Sequence, residues 1–502
     1  MPFVDAQRNP PGREDLVAGA EIAIVGAGPA GLTAAVELVC RRPDLAERLV
    51  VIDPSGRWLD QWDRQLAGQE VPHLRSPIVH HPHPDPWALV EFARRRRSEI
   101  AMDQSMDLPG TRLFRDFCAW VIEEHGLRDV VIAGDVRAVA SAGAGLGATV
   151  ELADGRFVRA SSAVILAVNP RTKNLPDWVQ QLRAHGPSPT RPRSPLADLV
   201  RHASEFDVAA VLDGGATLPR SVAIVGGGLT AAQLANSAAQ RGVRVDLIVR
   251  RQLKVRQFDV EPGWIGPREL GDFVKEPDYR RRKRMIDAAR DGGTVPPFAH
   301  RALARLVEEG AVRLHEHDEV VEIDRRAQRP GHTGPAESGC EGSLSLSLST
   351  GASVAVDQVW LATGAPVDVL AHPAFATLAS HNPTTIVDGL PVLEPSLRWP
   401  GTEVFVVGSA TALEIGPACS ILHGQRRAAV RIVSAITGLR PTLGFVHECD
   451  RPVVDELLGR ATPTRGRGTR ATSSRATSSR AKASEGEPSD VGRVITASGR
   501  SK

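Results

Sequence analysis

Three glycines of this 502-residue sequence, Gly26, Gly28 and Gly31, have the spacing G-x-G-x-x-G. They lie between a short apolar run, EIAIV, and an Ala/Leu-rich run that is typical of a helix. In this setting Gly26 permits a tight turn, Gly28 lets the backbone approach a pyrophosphate, and Gly31 lets the helix pack closely on the strand. With Pro29 and Ala30 between them, these residues predict a dinucleotide-binding turn.

An acidic residue, Asp53, ends the next apolar run, RLVVID. A carboxylate at the end of the second strand of such a unit is placed to bind a ribose hydroxyl. Because the turn, the helix and the acid occur in the expected order, we predict a complete strand-helix-strand nucleotide-binding unit here.

The same order of features starts again at RSVAIVGGGLTAAQLANSAAQ, followed by VRVDLIVRR. This internal repeat predicts a second dinucleotide-binding unit, whose turn comprises Gly226, Gly228, Leu229, Thr230 and Ala231. Its second strand ends in Arg250 and Arg251 instead of an acid. A cation at that point accepts a 2′-phosphate, which a carboxylate would repel, so we expect NADPH rather than NADH.

Two dinucleotide sites in one chain indicate two redox cofactors, a tightly held flavin and an exchanging nicotinamide that passes a hydride to it. These residues leave the flavin's own electron acceptor open. A disulfide reductase needs two neighbouring cysteines, and the five in this sequence are scattered: Cys40, Cys118, Cys340, Cys419 and Cys449. Reduction of a quinone or another acceptor and reaction with O₂ both stay open.

The order of elements predicts an α/β protein with two Rossmann-like dinucleotide-binding domains and small antiparallel meanders. The first domain is expected over residues 19–205 and 370–455, with the second, 206–369, inserted into it. Residues 1–18 are predicted to be a disordered lead-in. The Ser/Thr/Arg-rich residues 460–502 contain almost no large apolar side chains, which predicts a disordered basic tail.

The composition gives 61 basic and 59 acidic residues, a balance that does not indicate a nucleic-acid or membrane partner. The N-terminal residues lack the apolar run of a signal peptide, and no stretch approaches a membrane helix. We therefore expect a cytoplasmic protein.

At the level of motifs the chain resembles the two-dinucleotide flavoproteins, and within them the N-hydroxylating monooxygenases of the lysine/ornithine hydroxylase type. The residues that carry the resemblance are GAGPAG at 26–31, GGGLTA at 226–231 and DQVWLATGA at 357–365. It implies FAD at the first unit and NADPH at the second, and it adds Thr363 and Gly364 of the D-x-x-x-L-A-T-G element to the cofactor-binding residues. It also implies that Gly408 and Ser409, in VFVVGSATALEIGPA, approach the flavin.

The segment 54–110 is rich in Trp, His and Pro, and predicts an irregular excursion from the first unit. Trp62, His73 and Arg75 are candidates to line the flavin, and packing of the loop on its own domain is the alternative. His80, His81 and His83 lack distant ligands at metal spacing, so no metal is predicted. The arginine runs 94–97 and 280–284 are expected to be solvated helix faces.

These features favour an NADPH- and FAD-dependent monooxygenase that uses O₂, through a C4a-hydroperoxyflavin, to hydroxylate a nucleophilic nitrogen of a small-molecule substrate. One alternative is an NADPH-dependent flavin reductase of a quinone or protein acceptor. Another is a non-catalytic flavoprotein that senses nucleotides. The residues assign no catalytic side chain, and they do not indicate the substrate or the oligomeric state.

Overall fold

The computed structural model describes residues 16–96, 108–141, 143, 145–184, 199–213, 218–325, 344–441 and 446–459. The predicted lead-in, except for residues 16–18, and the predicted basic tail lie outside these residues. The strands, in chain order, are β1 (Leu16–Val25), β2 (Leu49–Asp53), β3 (Val131–Ala133), β4 (Val136–Ser141), β5 (Ala148–Leu152), β6 (Phe157–Leu166), β7 (Val200–His202), β8 (Ser221–Val225), β9 (Arg244–Val249), β10 (Val312–Glu316), β11 (Val320–Arg325), β12 (Leu344–Leu348), β13 (Ser353–Val356), β14 (Gln358–Leu361), β15 (Ile386–Val387), β16 (Leu390–Pro391) and β17 (Val404–Val406).

The helices connect these strands and cover the sheets. They are α1 (Pro29–Arg41), α2 (Asp60–Gly68), α3 (Ala88–Arg95), α4 (Thr111–Glu124), α5 (Asp177–Ala184), α6 (Val208–Asp213), α7 (Leu229–Gln240), α8 (Pro267–Phe273), α9 (Tyr279–Arg290), α10 (Pro297–Glu308), α11 (Pro373–His381), α12 (Ala412–Ile415), α13 (Leu422–Thr437) and α14 (Arg451–Leu457). Within the described residues, no helix is long and apolar enough to cross a membrane.

The first sheet has the order β3-β2-β1-β6-β5-β4, and β17 also pairs with β6. Strands β1, β2, β3 and β17 run parallel to their neighbours, whereas β4, β5 and the first half of β6 form an antiparallel meander. The central strands are buried on both faces, as their continuous apolar runs require. Helices α1 and α13 pack together, which brings the end of the chain's described part back to the first unit.

The second sheet has the order β10-β9-β8-β14-β7, and every pair in it is parallel. Alternate residues of its strands face opposite sides, as strand geometry dictates. Val245 and Leu247 join the core beneath α7 and α10, and Ile248 joins the core on the other face. That other face is covered by an antiparallel sheet of the order β11-β12-β13. The predicted fold class, α/β with two Rossmann-like units and small meanders, is confirmed.

The predicted division into domains stays a prediction, and two sets of elements pack differently from what its boundaries suggest. Strand β7 lies within residues 19–205, part of the range predicted for the first domain, but it pairs with β14 in the second sheet. Within the segment expected to belong to the second domain, Leu270, Phe273 and Ile286 of α8 and α9 pack into the first hydrophobic core. Both differences arise because a short strand and an amphipathic helix carry no local sign of the sheet on which they will pack.

The predicted solvation of the second arginine run also needs a correction. The Arg282 side chain is only 12% exposed and donates to the carbonyl oxygen of Leu413 at 2.9 Å. Its guanidinium lies over the rings of Phe273 and Tyr279 and contacts the Glu414 carboxylate at 3.2 Å. One face of α9 therefore binds the first unit, because the Arg282 side chain finds acceptors and aromatic rings there.

Candidate active site at two glycine-rich turns

The first turn follows β1 and leads into α1. Gly26 has φ +104°, and a side chain there would lie 2.8 Å from the carbonyl oxygen of Ala167. At Gly31 a side chain would collide with the carbonyl oxygen of Gly26. Only glycine satisfies both positions, since one needs the left-handed region and the other has no room for a methyl group.

Gly28 differs from its two neighbours in the motif, because a side chain there would meet no described atom within 4 Å. It precedes α1, which starts with Pro29, and among the described residues no side chain caps this end of the helix. Free N–H groups and the helix dipole at such an end attract an anion. The space at Gly28 and the uncapped helix thus fit a pyrophosphate.

Asp53 ends β2 beside this turn. Its carboxylate accepts hydrogen bonds from the backbone N–H of Ala27 at 3.0 Å and from the N–H and hydroxyl of Ser55 at 3.0 and 2.6 Å. An ionised carboxylate has about four acceptor sites, so one remains for a ribose hydroxyl. Asp53 therefore both braces the glycine turn and fits the ribose role.

The closing segment lies against the first turn because β17 pairs with β6 and β6 with β1. Gly408 has φ +93°, and a side chain there would lie 3.8 Å from the Ala30 side chain. The hydroxyl of Ser409 is buried and donates to the side-chain oxygen of Asn169 at 2.7 Å. The structure therefore brings the residues predicted for one flavin site together from three separate parts of the sequence.

The second turn follows β8 and leads into α7, with Leu229 and Thr230 half-buried and Ala231 buried at its start. Gly226 has φ +143°, and a side chain there would collide with the carbonyl oxygen of Ala362. At Gly228 a side chain would lie only 3.5 Å from the Cα of Gly293. A loop of the segment between β9 and α10 (residues 250–296), called the insertion below, thus lies on the second turn. At Gly28 of the first turn, by contrast, no described atom lies within 4 Å of an added side chain.

The two arginines after β9 have different environments. Arg250 is exposed, and Arg251 forms an ion pair with the Asp291 carboxylate at 3.0 Å. Lys254 pairs with the other oxygen of the same carboxylate. These two cations lower the pKa of Asp291, which keeps its carboxylate charged. The predicted cations are present at the end of the strand, and one of them already holds an anion.

The turn after β14 is fixed by residues that the sequence did not single out. The hydroxyl of Thr363 donates to the carbonyl oxygen of Asn174 at 2.5 Å, and the Asn174 amide donates back to Thr363 at 3.1 Å. Gly364, at φ +84°, accepts from the backbone N–H of Asn174 and contacts His202 through its carbonyl oxygen. This turn lies next to the second glycine turn, since Ala362 contacts Gly226.

The residues predicted in the irregular excursion have separate environments. Trp62 lies in α2, and its ring centroid lies 5.5 Å from that of Phe114 in α4. This contact packs the two helices together. The His73 ring lies 6.4 Å from the Phe298 ring of α10.

Arg75 lies in the irregular excursion of the first unit and forms hydrogen bonds with the insertion. It donates to the carbonyl oxygens of Gln257 and Arg256 and to the hydroxyl of Thr294, at 2.6, 2.8 and 2.6 Å. Burial lowers the pKa of its guanidinium.

Sequence reasoning missed Asn169, Asn174 and Arg171, which follow β6 in VNPRTKN. Arg171 is an exposed residue, but desolvation of its guanidinium by neighbouring atoms, together with nearby Arg290, lowers its pKa. Its guanidinium donates to Asn169 and to the carbonyl oxygen of Ala365, both at 2.9 Å. A polar run immediately after the carboxyl end of a central parallel strand was the signal that could have found them, since ligands bind at that edge.

Of the neighbouring histidines predicted not to hold a metal, His81 is buried and His80 and His83 are partly buried. Burial lowers the pKa of His80 and His83 to about 4 and that of His81 to about 3, so the rings are neutral. Within the described part of the chain, no group of three or more His, Cys, Asp or Glu side chains could hold a metal ion.

Comparison with known proteins matches residues 23–170 to a family model described as FAD-NAD(P)-binding. A comparison with curated proteins finds no match. Among solved structures, an ornithine N-hydroxylase from Kutzneria sp. 744 has a TM-score of 0.63 at 18% identity, over 84% of this chain and 99% of that one. The chain has the fold of this hydroxylase.

Two further structures agree. An L-lysine 6-monooxygenase from Pseudomonas syringae has a TM-score of 0.60 at 17% identity, over 83% of this chain and 99% of that chain. A cadaverine monooxygenase from Erwinia amylovora, bound to FAD, has a TM-score of 0.61 at 17% identity, over 86% of this chain and 97% of that one. The resemblance noted in the motifs therefore extends to the whole arrangement of the two units.

Proposed function

We propose that this protein is an NADPH- and FAD-dependent monooxygenase that uses O₂ to hydroxylate an amine nitrogen of a small-molecule substrate. The observation that carries the proposal is the match of both units to an ornithine N-hydroxylase over 99% of that chain. Lysine and cadaverine monooxygenases share the fold, and amine oxidation is what these three proteins have in common.

The proposed FAD site consists of the open first turn, Asp53, and the closing residues Gly408 and Ser409. The space at Gly28 and the uncapped start of α1 suit the pyrophosphate. The buried hydroxyl of Ser409 is fixed by Asn169, so this side of the site is rigid. Once reduced by NADPH, the flavin supplies the two electrons that oxygen activation requires.

The proposed NADPH site consists of the second turn, the Thr363–Gly364 turn and the cations after β9. Arg250 and Arg251 lie where a 2′-phosphate is expected in this fold. Because Arg75 ties the first unit to the insertion, it helps to hold the two cofactor sites in register.

A thiol-based reductase receives little support from the described cysteines. Cys419 is the one beside the closing turn, where its thiol contacts the carbonyl oxygen of Ser409. It is buried, and burial raises its pKa, so the thiol stays protonated and is a poor nucleophile.

The test is to purify the protein with FAD bound, add NADPH under nitrogen, and then admit air in the presence of an amine panel that includes ornithine, lysine and cadaverine. We expect NADPH to bleach the flavin and a hydroxylated amine to form, detected by mass spectrometry, in proportion to NADPH consumed. Free FAD at the same concentration is the control for reactions that need no protein.

Two other outcomes would each overturn the proposal. Stoichiometric reduction of a quinone under nitrogen, with no hydroxylated product in air from any amine, would favour the reductase alternative. A bound flavin that NADPH does not bleach would favour a non-catalytic flavoprotein.

A further inference from the structure

The loop 291–294 lies on the second glycine-rich turn. A side chain at Gly293 would come within 2.8 Å of the Cα of Gly228, so the two backbones are in close contact. The corresponding Gly28 of the first turn meets no described atom within 4 Å. Since a pyrophosphate approaches this fold at the second glycine of the motif, the loop covers the point where a dinucleotide binds.

Both ends of this loop are tied down. At one end, the Asp291 carboxylate pairs with Arg251 at 3.0 Å and with Lys254. Arg251 also donates to the Asp291 carbonyl oxygen. At the other end, the Thr294 hydroxyl accepts from Arg75 at 2.6 Å.

The backbone between these ends lets the Arg251 guanidinium pack closely against the loop. Asp291 and Gly292 have positive φ angles of +40° and +76°, and a side chain at Gly292 would collide with the Arg251 guanidinium. Only glycine at position 292 lets Arg251 lie against the loop in this way.

The cation pair lies immediately after β9, the second strand of the second unit. In this fold the 2′ substituent of the adenosine ribose lies at the end of that strand, and a cation there accepts a 2′-phosphate. Asp291 therefore places a carboxylate where the phosphate of NADPH is expected.

We propose that Asp291 is an internal anion that latches the loop over the second turn, and that the 2′-phosphate of NADPH replaces it on Arg251 and Lys254. This inference rests on the proposed use of NADPH. It assigns Lys254, which the sequence did not single out, to the 2′-phosphate site. Any dinucleotide must displace the loop and so break the ion pairs of Asp291, but only one with a 2′-phosphate replaces those ion pairs with its own.

If Asp291 latches the loop, Asp291→Asn and Lys254→Gln should change the affinity for NADP⁺ in opposite directions. Asp291→Asn removes the latch and keeps the cations, so NADP⁺ and NAD⁺ should both bind about two- to five-fold more tightly, the range of an exposed ion pair. Lys254→Gln weakens the latch and removes a phosphate ligand. NADP⁺ should then bind about tenfold more weakly and NAD⁺ about twofold more tightly, since a charge-assisted bond to phosphate outweighs an exposed pair.

The experiment is calorimetric titration of the FAD-loaded full chain with NADP⁺ and with NAD⁺. Asp287→Asn is the matched control, because Asp287 lies in the last turn of α9, just before Asp291, and pairs with Lys283 at 2.6 Å. Flavin content of each variant reports whether it is folded. Amide hydrogen exchange should also become faster in residues 291–294 when NADP⁺ is added to the original protein.

The outcomes separate this inference from the proposed function. Unchanged affinities in Asp291→Asn, or weaker binding of both dinucleotides in Lys254→Gln, would overturn the latch alone. If no variant binds NADP⁺, the latch and the use of NADPH both fall. If the pattern of affinities holds and no amine is hydroxylated, the latch stands and the monooxygenase proposal falls.

Discussion

At Gly28 a methyl group would meet no described atom within 4 Å, whereas at Gly31 it would collide with the carbonyl oxygen of Gly26. The glycines of one motif therefore serve different purposes. Gly26 and Gly31 are required by the protein itself, and Gly28 is free for an approaching ligand. This distinction separates a folding defect from a binding defect.

We expect Gly28→Ala to fold normally and to lose most of its FAD. The backbone at this position has φ −77° and ψ −176°, which alanine adopts readily, so the added methyl group costs little in the protein. It would instead occupy the space that a pyrophosphate needs. The measurement is visible absorbance of flavin per protein, together with circular dichroism.

Gly19→Ala is the control, because a side chain at Gly19 in β1 also meets no described atom within 4 Å and lies outside the turn. It should retain both fold and flavin. Full flavin content in Gly28→Ala would argue against a pyrophosphate at this turn.

At the scale of elements, the segment 80–83 packs its histidines between α4 and α13. The His80 ring lies 5.1 Å from the His423 ring, and the His81 ring lies 4.9 Å from the Phe117 ring. Arg426 of α13 donates to the backbone carbonyl of His83. Burial lowers the pKa of His80 to about 4 and that of His423 to about 3, from 6.5 in an open chain.

We expect the free energy of unfolding to fall as the pH is lowered from about 6.5 towards 4. In that window the unfolded chain binds protons at these rings and the folded chain does not, so acid favours unfolding. At about pH 5 each such ring lowers the free energy of unfolding by about 1–2 kcal/mol. Urea denaturation at a series of pH values measures the slope.

His423→Gln should flatten this slope, since it removes one of the buried rings. His381→Gln, at an exposed position, is the control and should leave the slope unchanged. Equal slopes in the original protein and in His423→Gln would contradict a neutral buried ring at position 423.

At the scale of the whole molecule, Arg75 connects the excursion of the first unit to the insertion of the second. Its side chain is 15% exposed and contacts Asp259 at 2.5 Å in addition to its backbone and hydroxyl acceptors. A planar guanidinium can satisfy several acceptors at once, which a lysine ammonium cannot do in the same geometry. The contact therefore helps to fix the distance between the two proposed cofactor sites.

We expect Arg75→Lys to lower the free energy of unfolding by about 2 kcal/mol, because it leaves buried acceptors without donors. It should keep its flavin, since the acceptors of Arg75 lie in the insertion. At saturating NADPH, flavin reduction should slow by about tenfold or more, as small misplacements of reacting groups have such effects. Stopped-flow absorbance under nitrogen measures this rate.

Arg95→Lys is the matched control, since Arg95 is 75% exposed and pairs with Glu91 within one helix. It should change neither property. If Arg75→Lys reduced its flavin at the original rate, Arg75 would have no part in holding the two units in register.

The sequence by itself determined the two strand-turn-helix units, the fold class and the position of both glycine turns. These features depend on local requirements, such as a positive φ at Gly26 or an apolar run of strand length, and local requirements leave a local pattern. For the same reason the resemblance to the N-hydroxylases was visible in short motifs before any contact was known.

Only the tertiary structure decided which side chains meet across long separations. Arg251 pairs with Asp291, 40 residues away, and Arg75 with Asp259, 184 residues away. Strand β7 pairs with β14 in the second sheet, and Arg282 is mostly shielded from solvent where α9 packs on α12. Such contacts are fixed by the packing of whole elements, and a charged residue in a surface-like run carries no local sign of the partner that will neutralise it.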